Sequence, residues 1–338
     1  MAMTFGKTRI AFALAAIIFQ AVPSVAATLY VSRTGEDSNP GTISLPFRSI
    51  SKAAQEAKPG SKIMVAGGLY NEVVVIPVGG TAELPVTFEP APGEQVIIDG
   101  SSSPPDTNLV QINASYVSFR GFTIRNSTRG GIAAWGVHHV GIANNKIHGS
   151  QKAGIWVGHT ETGQSYANVI ERNEVWNNCL ENSSRAAESG WPQGISLRAS
   201  DRSTVVGNRV YRNYGEGIGT LSTESVSILG NDVFDNFSVN IYLDNAPSTV
   251  VQENKVYHTY AKDFYRYGKP ALGIMIANEY TELELPSRDI NVTRNTLAGV
   301  GRVTYGDYQR ASGLINSEIN PNTVTDNPEP LWQPNKQH

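Results

Sequence analysis

The chain has 338 residues, a net charge of −3 and one cysteine, Cys179. Charge this balanced, with no basic stripe, excludes nucleic acid as a partner. A lone cysteine excludes an internal disulfide, so stability must come from packing and hydrogen bonds, with Cys179 expected as a small, half-buried residue.

Residues 1–27 read as a secretory signal peptide. Lys7 and Arg9 form a positive start, residues 10–21 (IAFALAAIIFQA) are apolar, and small residues lead up to Ala27. That order is the one a signal peptidase processes, and the apolar stretch is too short to span a bilayer. Cleavage after Ala27 leaves a mature chain that starts at Thr28. No later segment reads as a membrane anchor. A monomer is expected, in the periplasm or outside the cell. Five Asn-X-Ser/Thr sequons, at Asn113, Asn126, Asn182, Asn236 and Asn291, read as by-products of an Asn-rich repeat.

Residues 28–116 form the entry to the fold. In residues 47–58 (FRSISKAAQEAK), Ile50, Ala53, Ala54 and Ala57 share one helical face, and Pro59 and Gly60 stop the helix. A solenoid needs its open end covered, so this helix is expected to be a cap. Strands are expected at residues 62–65, 72–76, 86–88 and 96–98.

Residues 117–320 carry a repeat. Residues 140–147 (VGIANNKI), 203–210 (STVVGNRV), 226–233 (VSILGNDV) and 249–256 (TVVQENKV) align, with Asn in sixth place and aliphatic residues third and eighth. Residues 168–175 and 290–297 fit as well, so the sixth-place column is Asn145, Asn173, Asn208, Asn231, Asn254 and Asn295, with Phe122 before it. A second element follows each unit: Gly131-Ile132, Gly154-Ile155, Gly194-Ile195, Gly217-Ile218, Asn240-Ile241, Gly273-Ile274 and Gly313-Leu314. From Gly131 to Gly154, and from Gly194 to Gly217 to Asn240, the spacing is 23 residues. Short strands at a fixed period bury their apolar faces only by stacking. The pattern therefore predicts an all-β parallel β-helix with coils about 4.8 Å apart. Parallel crossovers favour a right-handed turn. A buried Asn column can donate to one neighbour and accept from the other. A second Asn column (Asn178, Asn213, Asn236) and an aromatic column (Trp176, Tyr211, Phe234, Tyr257) read as structural too. Residues 321–338 are polar and Pro-rich and read as a frayed tail.

The entry segment also carries a resemblance. Residues 29–42 (LYVSRTGEDSNPGT), Pro46-Phe47, residues 57–60 (AKPG) and residues 67–72 (GGLYNE) resemble the opening of secreted, pectin-lyase-like right-handed β-helix proteins. The block looks like the start of family 9 polysaccharide lyases and of some β-helix glycoside hydrolases. Gly79-Gly80-Thr81, Pro85-Val86 and Ile98-Asp99-Gly100 continue the likeness, which with the repeats spans nearly all of the mature chain. It implies a polysaccharide ligand. Family 9 lyases bind Ca2+ in an aspartate cluster and use a catalytic lysine. Residues 238–246 (SVNIYLDNA) hold Asp244 as their one acid, so no metal ligand is carried over.

Alternation points Trp156, Ser196, Gly219, Tyr242 and Met275 outward from the second strand, and two positions on Trp135, Gly158, Arg198, Leu221, Asp244 and Ala277. Long insertions at residues 179–193 and 258–272 leave the same corner of the coil. The first brings Arg185, Glu188 and Trp191; the second brings His258, Tyr260, Lys262, Tyr265, Arg266, Tyr267 and Lys269. Aromatic faces suit sugars, and cations suit the carboxylates of an acidic glycan. Arg198, Asp244 and Lys262 are the candidate catalytic residues. Trp156, Trp191, Glu216, Tyr242, Tyr265, Arg266 and Lys269 are the candidate substrate contacts.

A lyase acting on a uronate polysaccharide is the leading expectation. A β-helix hydrolase needs a carboxylate pair. Glu216 precedes its strand and Asp244 ends the next, roughly 16 Å apart at strand rise, so they do not supply it. Asp201 and Glu224 occupy equivalent places in adjacent coils but read as solvated turn acids. His138 and His139 read as surface residues. A non-catalytic glycan-binding protein is the third reading.

Overall fold

The computed structural model describes residues 27–186, 190–279, 286–306, 314–329 and 331. The segment up to residue 26, expected as a signal peptide, Glu188, Gly313 and the last seven residues lie outside the described residues. Three parallel sheets of ten, nine and ten strands wind through the chain as a β-helix. A central coil contributes Thr204–Val206 to the first sheet, Arg209–Tyr211 to the third and Glu216–Leu221 to the second, and the next coil repeats the order. In the nine-stranded sheet Ile132, Ile155, Ile195, Ile218, Ile241 and Ile274 fall in register, and all six are fully buried. At about 1.5–3 kcal/mol for each buried aliphatic side chain, this column alone is a large stabilising term.

Two Asn ladders supply the polar half of the account. The Oδ1 of Asn231 accepts from both the backbone N–H (2.8 Å) and the Nδ2 (3.0 Å) of Asn208, while its own Nδ2 donates to Val205 O (3.0 Å) and Asn254 Oδ1 (2.9 Å). The corner before each ladder Asn is tight. Asn144, Arg172, Gly207, Gly230, Glu253 and Arg294 all have φ between 51° and 64°. A left-handed residue there turns the backbone out of its ladder, and the Asn behind it satisfies the N–H groups so exposed. The ladder runs on to Asn322 (2.9 Å from Asn295 Nδ2), and Thr323–Thr325 pairs with Thr296–Ala298. The solenoid thus reaches into residues that the sequence assigned to the tail.

The second ladder explains the glycines of the repeat. A Cβ on Gly217 would lie 2.4 Å from Asn240 O and 2.7 Å from Asn236 Nδ2. Asn240 breaks the glycine pattern because its side chain ends the column, accepting from Asn236 Nδ2 at 3.0 Å. The last second-element assignment is corrected. Met275 pairs with Thr304, so the next strand of that sheet is Thr304–Gly306 and not a segment at Gly313-Leu314. The corner from Asn295 to Val303 is two residues shorter than that from Asn208 to Ile218, and Arg302-Val303 take the place of the Gly-Ile signal.

The aromatic column forms as read, with ring centroids 6.0, 4.8 and 4.7 Å apart from Trp176 through Tyr211 and Phe234 to Tyr257. Cys179 is fully buried, not half-buried, and burial pushes its thiol up. Asn236 is buried in the second ladder, which fits a sequon that arises from the repeat.

The opening block builds a helix start. The helix Ile50–Glu56 buries Ile50, Ala53 and Ala54. Asp37 Oδ1 accepts the N–H groups of Arg48 and Ser49, both at 2.9 Å. Glu72 accepts those of Ile50 (2.9 Å) and Ser51 (3.1 Å). Such donors are what a helix leaves unpaired at its N-terminus, so Asp37 and Glu72 of the block have a structural task.

Candidate active site

The outward positions of the nine-stranded sheet form the floor of a cleft of about 1330 Å³. It extends over seven successive strands, from Gln111 to Met275. Six spacings of about 4.8 Å make it roughly 29 Å long, room for several sugar units. Register places the predicted residues as alternation requires: Trp156 beside Ser196, Gly219 beside Tyr242, and Arg198, Leu221 and Asp244 in one column.

The two insertions form the wall, and they touch. The Arg266 guanidinium lies over the Trp191 ring, 4.8 Å from its centroid. Trp191 meets Phe237 edge-on at 5.5 Å, and Arg185 Nη1 donates to Asp263 O at 2.6 Å. Trp191, Arg266 and Lys269 line the cleft.

Two expected residues are not brought there. Lys262 is exposed on a single 3-10 turn, Lys262–Phe264, and does not line the cleft. Tyr265 turns its hydroxyl towards His258 Nδ1 (3.4 Å). In an inserted loop, sequence gives no side-chain direction, because no strand alternation fixes it.

The acids cluster more than the sequence suggested. Glu216 is the first residue of its strand rather than the residue before it. Asp244 ends the next, so the offset along the strands stands. Glu279, which follows the strand Leu272–Ala277, joins Asp244 and Tyr242. Its backbone N–H donates to Asp244 Oδ1 at 3.0 Å, and its Oε1 accepts the Tyr242 hydroxyl at 2.6 Å. Burial, reinforced by the charges of Glu279 and Asp244, pushes Glu216 up to about 8, against a hydrogen bond from Gln193. Burial, with the charge of Glu279, pushes Asp244 up to about 7. Tyr242 is raised far above its usual value by burial and by its bond to Glu279. Sequence reasoning missed Glu279 because it lies past the end of its strand, beyond the alternation.

Arg198 completes the charged floor. Its Nε is buried and has no hydrogen-bond partner among the described residues. Asp201, expected as a solvated acid, is buried instead, and its carboxylate accepts the Glu224 N–H at 2.9 Å. Among the described residues no cluster of three or more His, Cys, Asp or Glu has a geometry that could hold a metal ion. His138 and His139 stack on Tyr166 and Tyr116, with centroids 4.7 and 4.8 Å apart.

Comparison with known proteins places this architecture. The family described as "Pel9A-like, right handed beta helix region" matches residues 29–242, well over half of the chain. The chain belongs to this family. A general right-handed β-helix region also matches residues 187–333. Pectate lyase PEL9 of Emericella nidulans is 42% identical over 91 residues, which are 26% of this chain and 22% of that protein. Uncharacterized protein YwoF of Bacillus subtilis is 33% identical over 133 residues, 36% of this chain and 28% of that protein. The chain thus spans about a quarter of the length of these curated relatives. Among solved structures, pectate lyase Pel9A superposes with a TM-score of 0.59 at 17% identity, over 88% of this chain and 80% of that one. A GH136 lacto-N-biosidase from Eubacterium ramulus gives 0.55 at 14% identity, over 88% and 68%. At these identities the likeness is one of fold: a right-handed parallel β-helix. Among the described residues no helix is long and apolar enough to cross a membrane.

Proposed function

We propose that the protein is a secreted polysaccharide lyase that cleaves a uronate-containing glycan in this cleft. The observation that carries the reading is the column shared by Arg198 and Asp244, two strands apart on the cleft floor. Arg198 offers a buried, unpartnered Nε, suited to a uronate carboxylate. Neutralising that carboxylate acidifies the proton on the adjacent sugar carbon. Asp244, held at about 7, is matched to a base working near neutral pH.

In the step, Asp244 takes the proton from C5. The electron pair forms the C4–C5 double bond, and the C4–O bond breaks. Tyr242, two residues away on the same ridge and hydrogen-bonded to Glu279, gives its proton to the leaving oxygen. Arg266 and Lys269 on the loop wall extend the cationic contacts.

The experiment is turnover by Asp244→Asn and Arg198→Ala on polyuronides. Both lose activity with the fold retained if the proposal holds. Full activity in both would remove it. Activity that does not need Arg198 and leaves saturated ends would move the assignment to hydrolysis.

A further inference from the structure

Glu279 stands where the chain departs from its own repeat. Asp244 pairs with Ala277 in the nine-stranded sheet. At the next corner Pro247 O accepts the Ser225 N–H, and one coil on Arg288 O accepts the Ser248 N–H. The step from Asp244 to Pro247 is three residues and that from Ala277 to Arg288 is eleven. The later coil therefore carries eight extra residues. Asn278 and Ser287 take the places of Asn245 and Ala246, so Glu279 is the first residue of the insertion.

The neck of that insertion is closed. The Ser287 N–H donates to Asn278 Oδ1 at 2.6 Å, and its hydroxyl donates to Ala277 O at 2.8 Å while accepting the Ala246 N–H at 3.1 Å. Asn278 is fully buried, and its Nδ2 donates to the Tyr305 hydroxyl at 3.0 Å. A backbone pinned in this way supports the side chain that leaves it. Glu279 then holds two groups by different means: its main-chain N–H bonds Asp244, and its carboxylate bonds the Tyr242 hydroxyl. Burial is the larger cause that raises Asp244, Glu216 and Tyr242, and the charge of Glu279 adds to it in all three. A like charge at short range makes an acid hold its proton longer.

Building on the lyase reading, we infer that Glu279 is a positioning residue: its carboxylate aims the Tyr242 hydroxyl, and its charge sets the pH range in which Asp244 serves as base. Glu279 exchanges no proton with the sugar. It holds the Tyr242 O–H between turnovers, and that O–H hands its proton to the leaving oxygen when the C4–O bond breaks.

Two substitutions separate aim from charge, and the main-chain N–H to Asp244 survives both. Glu279→Gln removes the charge and keeps an oxygen to accept the hydroxyl. Glu279→Ala removes both. Turnover of a polyuronide is followed by the absorbance of unsaturated product from pH 5 to 9. The acid limb of kcat/KM, set by Asp244, should move down by about one pH unit in both variants. At pH 8, kcat should fall about tenfold in Glu279→Ala with KM little changed, and Glu279→Gln should recover most of it. Added to Tyr242→Phe, Glu279→Ala should cost no further kcat, because it acts through that hydroxyl.

Urea unfolding supplies a readout that needs no turnover. Asp244 and Glu216 are raised to about 7 and about 8 in the folded chain, so wild type loses stability as pH rises from 4 to 9. Removing the Glu279 charge lowers both values, and each variant should lose less than wild type over that range. Product from wild type with the acid limb unmoved in both variants would overturn the inference and leave the lyase reading intact. An equal loss of stability in wild type and Glu279→Gln would overturn it too. No unsaturated product from wild type, with the smaller loss kept in the variants, would strike the lyase reading and the aiming role with it, and only the coupling of charges would survive.

Discussion

Glu216→Gln should make the protein more stable in mild alkali. Glu216 is buried and pushed up to about 8 from a usual value of 4.5. Below pH 4.5 the carboxyl is protonated in both the folded and unfolded states and contributes nothing. Between 4.5 and 8 the unfolded chain releases the proton and the folded chain keeps it. The folded state then binds more protons, so stability falls as pH rises. Above 8 both states are ionised and the loss is complete. A gap of some three and a half units at 1.36 kcal/mol each caps the loss at about 5 kcal/mol, and relaxation around a shared acid cluster brings it to about 3–5 kcal/mol. Gln keeps the shape and an oxygen to accept the Gln193 amide, which lies 2.9 Å from Glu216 Oε2. Urea unfolding at pH 4, 6 and 9 measures this. Wild type and variant should agree at pH 4, and the variant should be more stable by several kcal/mol at pH 9. Equal stability of the two at pH 9, or a variant weaker there, would refute the assignment of a destabilising buried carboxyl.

Further outcomes follow from other parts of the fold. Asn231→Ala removes the acceptor of two Asn208 hydrogen bonds and the donor to Val205 O and Asn254; at about 1–3 kcal/mol per buried group left unpaired, the loss should be near 4 kcal/mol in a denaturant titration. Tyr242→Phe removes the hydroxyl bonded to Glu279 and should lower kcat roughly a hundredfold with KM little changed, by steady-state kinetics. Arg198→Lys keeps the charge but not the planar fork, and should raise KM for a polyuronide by about tenfold, less than Arg198→Ala does.

Much of the scaffold was legible because a solenoid writes its geometry into a period. Asn208, Asn231 and Asn254 recur every 23 residues because like atoms must meet in adjacent coils. The outward column of Arg198, Leu221 and Asp244 followed from strand alternation. Legibility ended where the chain left the strands. Lys262 and Tyr265 sit in a loop whose side chains answer to local contacts, and Tyr265 turns to His258. Glu279 lies just past a strand end, and only the fold brings its Oε1 to Tyr242. Gly313 matched the repeat by residue type, yet Thr304 holds the register, because Arg302-Val303 stand where the Gly-Ile pair would.

The lyase account is tested most directly by its product. The protein from residue 28 onward is incubated with a panel of polyuronides and uronate heteropolymers while ultraviolet absorbance of the unsaturated uronate and reducing ends are followed together. The account predicts that both rise in parallel on at least one acidic polymer and that neither rises with Asp244→Asn. Reducing ends that accumulate without the absorbance, or silence on every acidic polymer, would contradict it.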